Sequence, residues 1–117
     1  MDVKNFDEAI LYYKESIRIS PDYANAYSNL GTVLLLKGDE EEAIVHLREA
    51  IKINPAFALA HFSLGNVLFQ TGEAEEAITH YREAVRIKPD YLLFRKILEE
   101  VLRRTNKLEE SKTKFAP

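Results

Sequence analysis

Apolar residues recur along this chain at spacings of three and four. Between Phe6 and Ile19 the pattern falls on Phe6, Ala9, Ile10, Tyr13 and Ile17, one face of an α-helix. A second stripe runs through Leu93, Phe94, Ile97, Leu98, Val101 and Leu102, with Arg95, Lys96, Glu99, Glu100, Arg103 and Arg104 mostly off it. Between these two stretches the rhythm is cut at Gly38, Pro55, Gly72 and Pro89. Those cuts predict helices over Ala24–Lys37, Glu40–Asn54 and Ala74–Lys88 and one between Pro55 and Gly72. No stretch reads as a strand.

The cuts are periodic. Residues 24–57 and 58–91 align without a gap, and 17 of 34 positions are identical. A fixed period of this length marks stacked pairs of helices, each pair lending its neighbour the cover it lacks. Residues 1–23 align with the end of the unit, 35–57, so the first helix here is the second of a pair, and Met1 falls near the end of the missing partner. Residues 92–117 begin another unit and then drift. The chain is therefore read as a single domain. It contains a half repeat over 1–23, repeats over 24–57 and 58–91, and a degenerate repeat or capping helix with a tail over 92–117.

Local chemistry agrees with this division. Asp22 is a candidate cap for the first helix of its pair. Gly38 and Gly72 stand where a left-handed residue ends a helix, and Pro55 and Pro89 disfavour helical geometry in the residue before them. The second helices begin acidic (Asp39, Glu40, Glu41, Glu42; Glu73, Glu75, Glu76) and end basic (Arg48, Lys52; Arg82, Arg86, Lys88), matching the helix dipole. A docking strip is the other reading of those charges, and the solvated, dipole-matched helix is the simpler one. Gly31 and Gly65 lie mid-helix, where glycine costs roughly 1 kcal/mol against alanine. With Ala43, Ala50, Ala77 and Ala84 they predict close helix contact, filled around by Leu30, Leu34, Leu47, Leu64, Leu68 and Tyr81. Glu99 stands in the place of those glycines and Asn106 in the place of the turn glycine, so Tyr91–Thr105 is expected to be a capping helix. The tail after it, with Ser111 where alanine recurs, reads as frayed or disordered.

This set of positions resembles the tetratricopeptide repeat (TPR) family. Tyr27, Leu30, Gly31, Leu34, Gly38, Ala43, Leu47, Ala50 and Pro55 match its pattern in one copy, and Leu64, Gly65, Leu68, Gly72, Ala77, Tyr81, Ala84 and Pro89 in the next. His61 departs from it, standing where a larger aromatic is usual. The resemblance implies an all-α, right-handed superhelical solenoid and a non-catalytic protein-interaction module whose first helices line a concave groove. Carried over position by position, that groove is Asn25, Ser28, Asn29, Thr32, Leu35 and Leu36, then Leu59, Phe62, Ser63, Asn66, Phe69 and Gln70. Leu93, Lys96 and Ile97 follow from the cap. One subclass clamps a terminal carboxylate with Lys, Arg and Asn. Asn29 matches its asparagine, but Ser28, Leu59, Phe62 and Ser63 hold no charge and only Lys96 could serve, so that function is not expected. Another subclass uses an asparagine ladder, in which Asn29 is a rung and Ser63 a break. The nearly uncharged surface that remains suits an amphipathic helix or apolar peptide. Packing between repeats is the other account of Leu35, Leu36 and Phe69, since single exposed apolar residues need no explanation.

Composition narrows function by exclusion. Net charge is −3, so no basic patch for nucleic acid or a membrane surface is expected. No apolar run nears the roughly 20 residues of a membrane span, and the polar, acidic start is not a secretory signal. Cysteine is absent, which removes thiolate chemistry and fits a reducing, cytoplasmic setting. There is no phosphate loop or H-E-x-x-H motif. His46 and His80 share a repeat position and could approach each other, but they lack further ligands, so no metal or cofactor is expected. Phe6, Ile10, Tyr13 and Ile17 lose part of their cover with the missing helix. Truncation from a longer array explains this simply; the alternative is a structural or assembly role, with a second copy as cover.

Overall fold

The computed structural model describes residues 3–115, with side chains for 5–106. Six α-helices follow one another: α1 Val3–Ile19, α2 Ala24–Lys37, α3 Glu40–Ile53, α4 Ala58–Gln70, α5 Ala74–Ile87 and α6 Leu92–Phe115. No strand occurs among the described residues. Each helix packs on the next, α2 with α3 and α4 with α5 as hairpins, and α2 also touches α4. The result is an elongated stack of 57 × 30 × 23 Å.

Within each hairpin the turn is set by one glycine. Gly38 has φ +101° and Gly72 φ +92°, values that L side chains rarely adopt. The chain then closes back on its own carbonyls. Asp39 N–H donates to Leu34 O at 2.8 Å and Gly38 N–H to Leu35 O at 3.1 Å. Glu73 to Leu68 and Gly72 to Phe69 repeat the arrangement at 2.8 and 3.2 Å, so two otherwise unpaired carbonyls are satisfied at each helix end.

Helix contact inside each hairpin depends on small residues. Ala43, Ala50, Ala77 and Ala84 are fully buried, as are Leu30, Leu47 and Leu64. One cluster joins Leu47, Leu64, Val67, Leu68, Ala77, Tyr81 and Val101 across four helices. A second joins Ile10 to Leu30, Leu34 and Ala43. Charges tie neighbouring units at the surface: Lys37 Nζ lies 3.0 Å from Asp7 Oδ1, and Arg48 Nη1 lies 2.7 Å from Glu76 Oε2.

Three local expectations are corrected. Asp22 is not the cap of α2: Tyr23 holds that place, and no side chain bonds the helix start. The turn is closed by backbone instead, Tyr23 N–H to Ser20 O at 3.1 Å, with Phe57 to Asn54 and Tyr91 to Lys88 repeating it. The second helices end at Ile53 and Ile87, one residue sooner than expected. Asn54 and Lys88 stand before prolines and leave helical geometry, with ψ 89° and 71°, as the clash with the proline ring demands. The last helix does not stop near Thr105. It continues through Asn106 to Phe115, because no residue there supplies the left-handed turn that glycine makes at 38 and 72. The expectation placed on Met1 lies outside the described residues, as does the side chain of Ser111.

Candidate functional site

Helices α2, α4 and α6 are the first helices of their units, and the surface they share is the candidate site. Its expected residues are not equally placed. Asn25, Asn29, Leu36, Leu59, Gln70, Leu93 and Lys96 are exposed, and Thr32, Leu35, Phe62, Asn66, Phe69 and Ile97 are half-buried. Ser28 and Ser63 are buried, at 1% and 5% exposure. They face the packed interior, where Thr32 Oγ1 donates to Ser28 O at 3.0 Å and stands 3.5 Å from Ser63 Oγ. Leu35, Phe62, Phe69 and Ile97 pack against the core cluster. Asn66 turns its amide oxygen inward, where Tyr81 O–H donates to it at 2.6 Å. Burial pushes the Tyr81 phenol up to about 12.

Aromatic rings join the α4 part of this surface to α6. Phe62 and Phe94 have centroids 4.7 Å apart, and Tyr91 meets Phe94 edge-on at 4.4 Å. Above buried Phe94 lies a hollow lined by Ala58, Leu59, Lys88, Tyr91 and Phe94. Leu59 and Tyr91 are about half exposed, at 48% and 50%. Lys88 stands exposed at the rim and makes no ion pair among the described residues. Sequence reasoning placed Leu59 here but missed Lys88, Tyr91 and Phe94. The available signal was Tyr91, which repeats the aromatic Phe57 one period earlier.

On α1, Ile10 is buried, and Tyr13 and Ile17 pack with it against α2. Phe6 is half-buried, and the large apolar residues that α1 exposes are Leu11, Tyr12 and Ile19, at 69%, 68% and 67%. The expected approach of His46 to His80 is also corrected. His80 pairs with His61, with ring centroids 5.3 Å apart, and His46 faces Tyr27 at 6.1 Å. The contact runs inside each hairpin because helices of one pair are closer than successive second helices. Among the described residues no group of three His, Cys, Asp or Glu side chains could hold a metal ion. Nor is any described helix long and apolar enough to cross a membrane.

Comparison with known proteins agrees with this geometry. The sequence matches the family model described as TPR repeat over residues 2–38, 33–72 and 65–94. The chain belongs to the TPR repeat family. A search of curated proteins returns no significant match. Among solved structures, the first TPR of Spaghetti (RPAP3) bound to the HSP90 peptide SRMEEVD is similar at a TM-score of 0.83 and 18% identity, covering 88% of this chain and 82% of that one. A mutant of the Thermobaculum terrenum O-GlcNAc transferase is similar at a TM-score of 0.76 and 31% identity, covering 80% of this chain. This TPR chain corresponds to only 18% of that transferase's length.

Proposed function

We propose that this chain is a non-catalytic interaction scaffold, cytoplasmic in setting. It holds an apolar segment of a partner protein, as peptide or helix, across α4 and α6. The observation that carries this reading is the hollow of Leu59, Tyr91 and Phe94 with Lys88 at its rim. Half-exposed apolar side chains over a rigid aromatic floor give a partner residue area to bury at little ordering cost. Asn25 and Asn29 lie exposed beside Thr32 and can bond a partner's backbone. The similar RPAP3 structure holds the HSP90 peptide SRMEEVD, whose last residue carries a carboxylate. Here Ser28, Leu59, Phe62 and Ser63 offer that carboxylate no cation, and two of them are buried. An apolar anchor is therefore the chemistry this surface favours over an acidic tail.

Binders selected from a random peptide library test this. Leu59→Ala and Tyr91→Ala should each weaken the selected peptide about tenfold or more, with helical circular dichroism unchanged. SRMEEVD should show no saturable binding. Full affinity in both variants, or tight binding of SRMEEVD, refutes the reading. Phe62→Ala is a poorer probe because Phe62 also supports the core.

One observation favours the assembly alternative. Ala43, Leu47, Ala50 and their copies Ala77, Tyr81, Ala84 are buried, but the equivalent Ala9, Tyr13 and Ser16 on α1 are half-exposed. Tyr12, in the place of His46 and His80, stands 68% exposed. A second copy could cover this face. Sedimentation of a plain monomer at high concentration removes that role.

A further inference from the structure

His61 of α4 and His80 of α5 bring their Nδ1 atoms to 3.0 Å. Two such nitrogens need one proton between them, since two lone pairs or two N–H groups face to face repel. The surroundings decide which ring supplies it. His61 Nε2 lies 2.9 Å from the Pro55 carbonyl oxygen. A carbonyl oxygen only accepts, so His61 Nε2 carries the hydrogen. In the neutral ring His61 Nδ1 is then the acceptor. His80 must donate from its own Nδ1, which leaves a lone pair on His80 Nε2. That lone pair faces Glu76 Oε2 at 3.6 Å, acceptor against acceptor.

One added proton resolves the mismatch. With hydrogen on both nitrogens, His80 donates to His61 on one side and faces Glu76 as an ion pair on the other. Arg48 Nη1 donates to the same Glu76 oxygen at 2.7 Å. Every donor then has an acceptor, from the Pro55 turn through α4 and α5 to α3. A second proton has no place, because it would aim His61 Nδ1–H at His80 Nδ1–H.

We propose that His61 and His80 form a one-proton switch in the second hairpin. The pair is neutral with opposite tautomers near neutral pH, takes one proton at His80 Nε2 in mild acid, and parts when a second arrives.

The groups around the pair set how hard the first proton is to add. Burial, then the His61 ring and, less strongly, Arg48 hold His80 below the ordinary imidazole value, and Glu76 opposes them. Glu83 on α5 is also near: its bond to Arg86 holds its carboxyl low, and the two rings lower it a little further. The first hairpin lacks the device because Tyr27 faces His46 there. Parting the rings would move α4 against α5, and Phe62, next in sequence to His61, lies against Phe94 and Tyr81. The switch therefore reaches the candidate binding face, yet it stands or falls without any ligand.

Long-range proton–nitrogen spectra of the 15N-labelled chain test it. At pH 7.5 the expected result is Nε2–H for His61 and Nδ1–H for His80. On lowering pH, His80 Nε2 should take up a proton while His61 Nδ1 stays unprotonated for as long as the amide resonances of α4 and α5 remain native. His61→Tyr, which copies the first hairpin, should free His80 from the Nδ1–H tautomer with helical content unchanged. The same tautomer in both rings at pH 7.5 overturns the proposal. So do two charged rings in an intact hairpin. The unsubstituted chain alone decides if His61→Tyr fails to fold.

Discussion

Gly31 sits so close to Leu47 that a methyl group built on its Cα would stand 2.6 Å from Leu47 Cγ and 3.2 Å from Ala43 O. Gly65 repeats the relationship with the Tyr81 ring at 2.8 Å. No side chain fits at either place without moving its neighbour. The glycine is thus what lets each hairpin close, despite its weak helix propensity.

Gly31→Ala should destabilise the chain. Overpacking costs about 1–3 kcal/mol, set against the roughly 1 kcal/mol that alanine returns in a helix. Urea denaturation should show a lower midpoint with an unchanged m-value. In a Leu47→Ala background the same substitution should cost less, because the clashing atoms are gone. Equal costs in both backgrounds would show that the close contact is not the cause.

Tyr81 makes stability sensitive to alkali. Its folded value, about 12, lies above the ordinary 10 because burial disfavours the phenolate. A raised folded value means stability is full below about pH 10 and is lost as pH rises toward 12. Absorbance titration should show one tyrosine ionising only with unfolding. Tyr81→Phe should remove that tyrosine from the titration and cost about 1 kcal/mol through its lost bond to Asn66.

Acid acts through His46. Burial holds its imidazole below the ordinary value, Lys14 acts in the same direction, and Glu42 and Glu49 oppose. Since the folded value is the lower one, stability is full above about pH 6.5 and is lost as pH falls through the folded value. His80 has the same sign. The melting temperature should fall between pH 7.5 and 5, and His46→Phe should flatten that fall. A slope unchanged in the variant would exclude His46 as its source.

Ser28 carries a buried hydroxyl with no hydrogen-bond partner among the described residues. An unmet buried polar group costs about 1–3 kcal/mol. Ser28→Ala should therefore raise thermal stability. A fall would mean that the hydroxyl has a partner in solution.

The repeat itself was legible in the residues, because apolar spacing, Gly38, Gly72, Pro55 and Pro89 act over a few positions. The candidate site was legible only in outline. Asn25, Asn29 and Leu59 lie on the surface where the register put them. Ser28 and Ser63 share that register but are buried, because α2 and α4 come together over them. Lys88, Tyr91 and Phe94 join Leu59 only when a turn between units brings α6 beside α4.

Sequence by itself determined six helical segments, their pairing and their period, since each rests on short-range rules of spacing and turn chemistry. The tertiary structure alone decided which polar groups face one another. His80 meets His61 rather than His46, and Asn66 bonds Tyr81, because those contacts depend on distances between helices that no local pattern encodes.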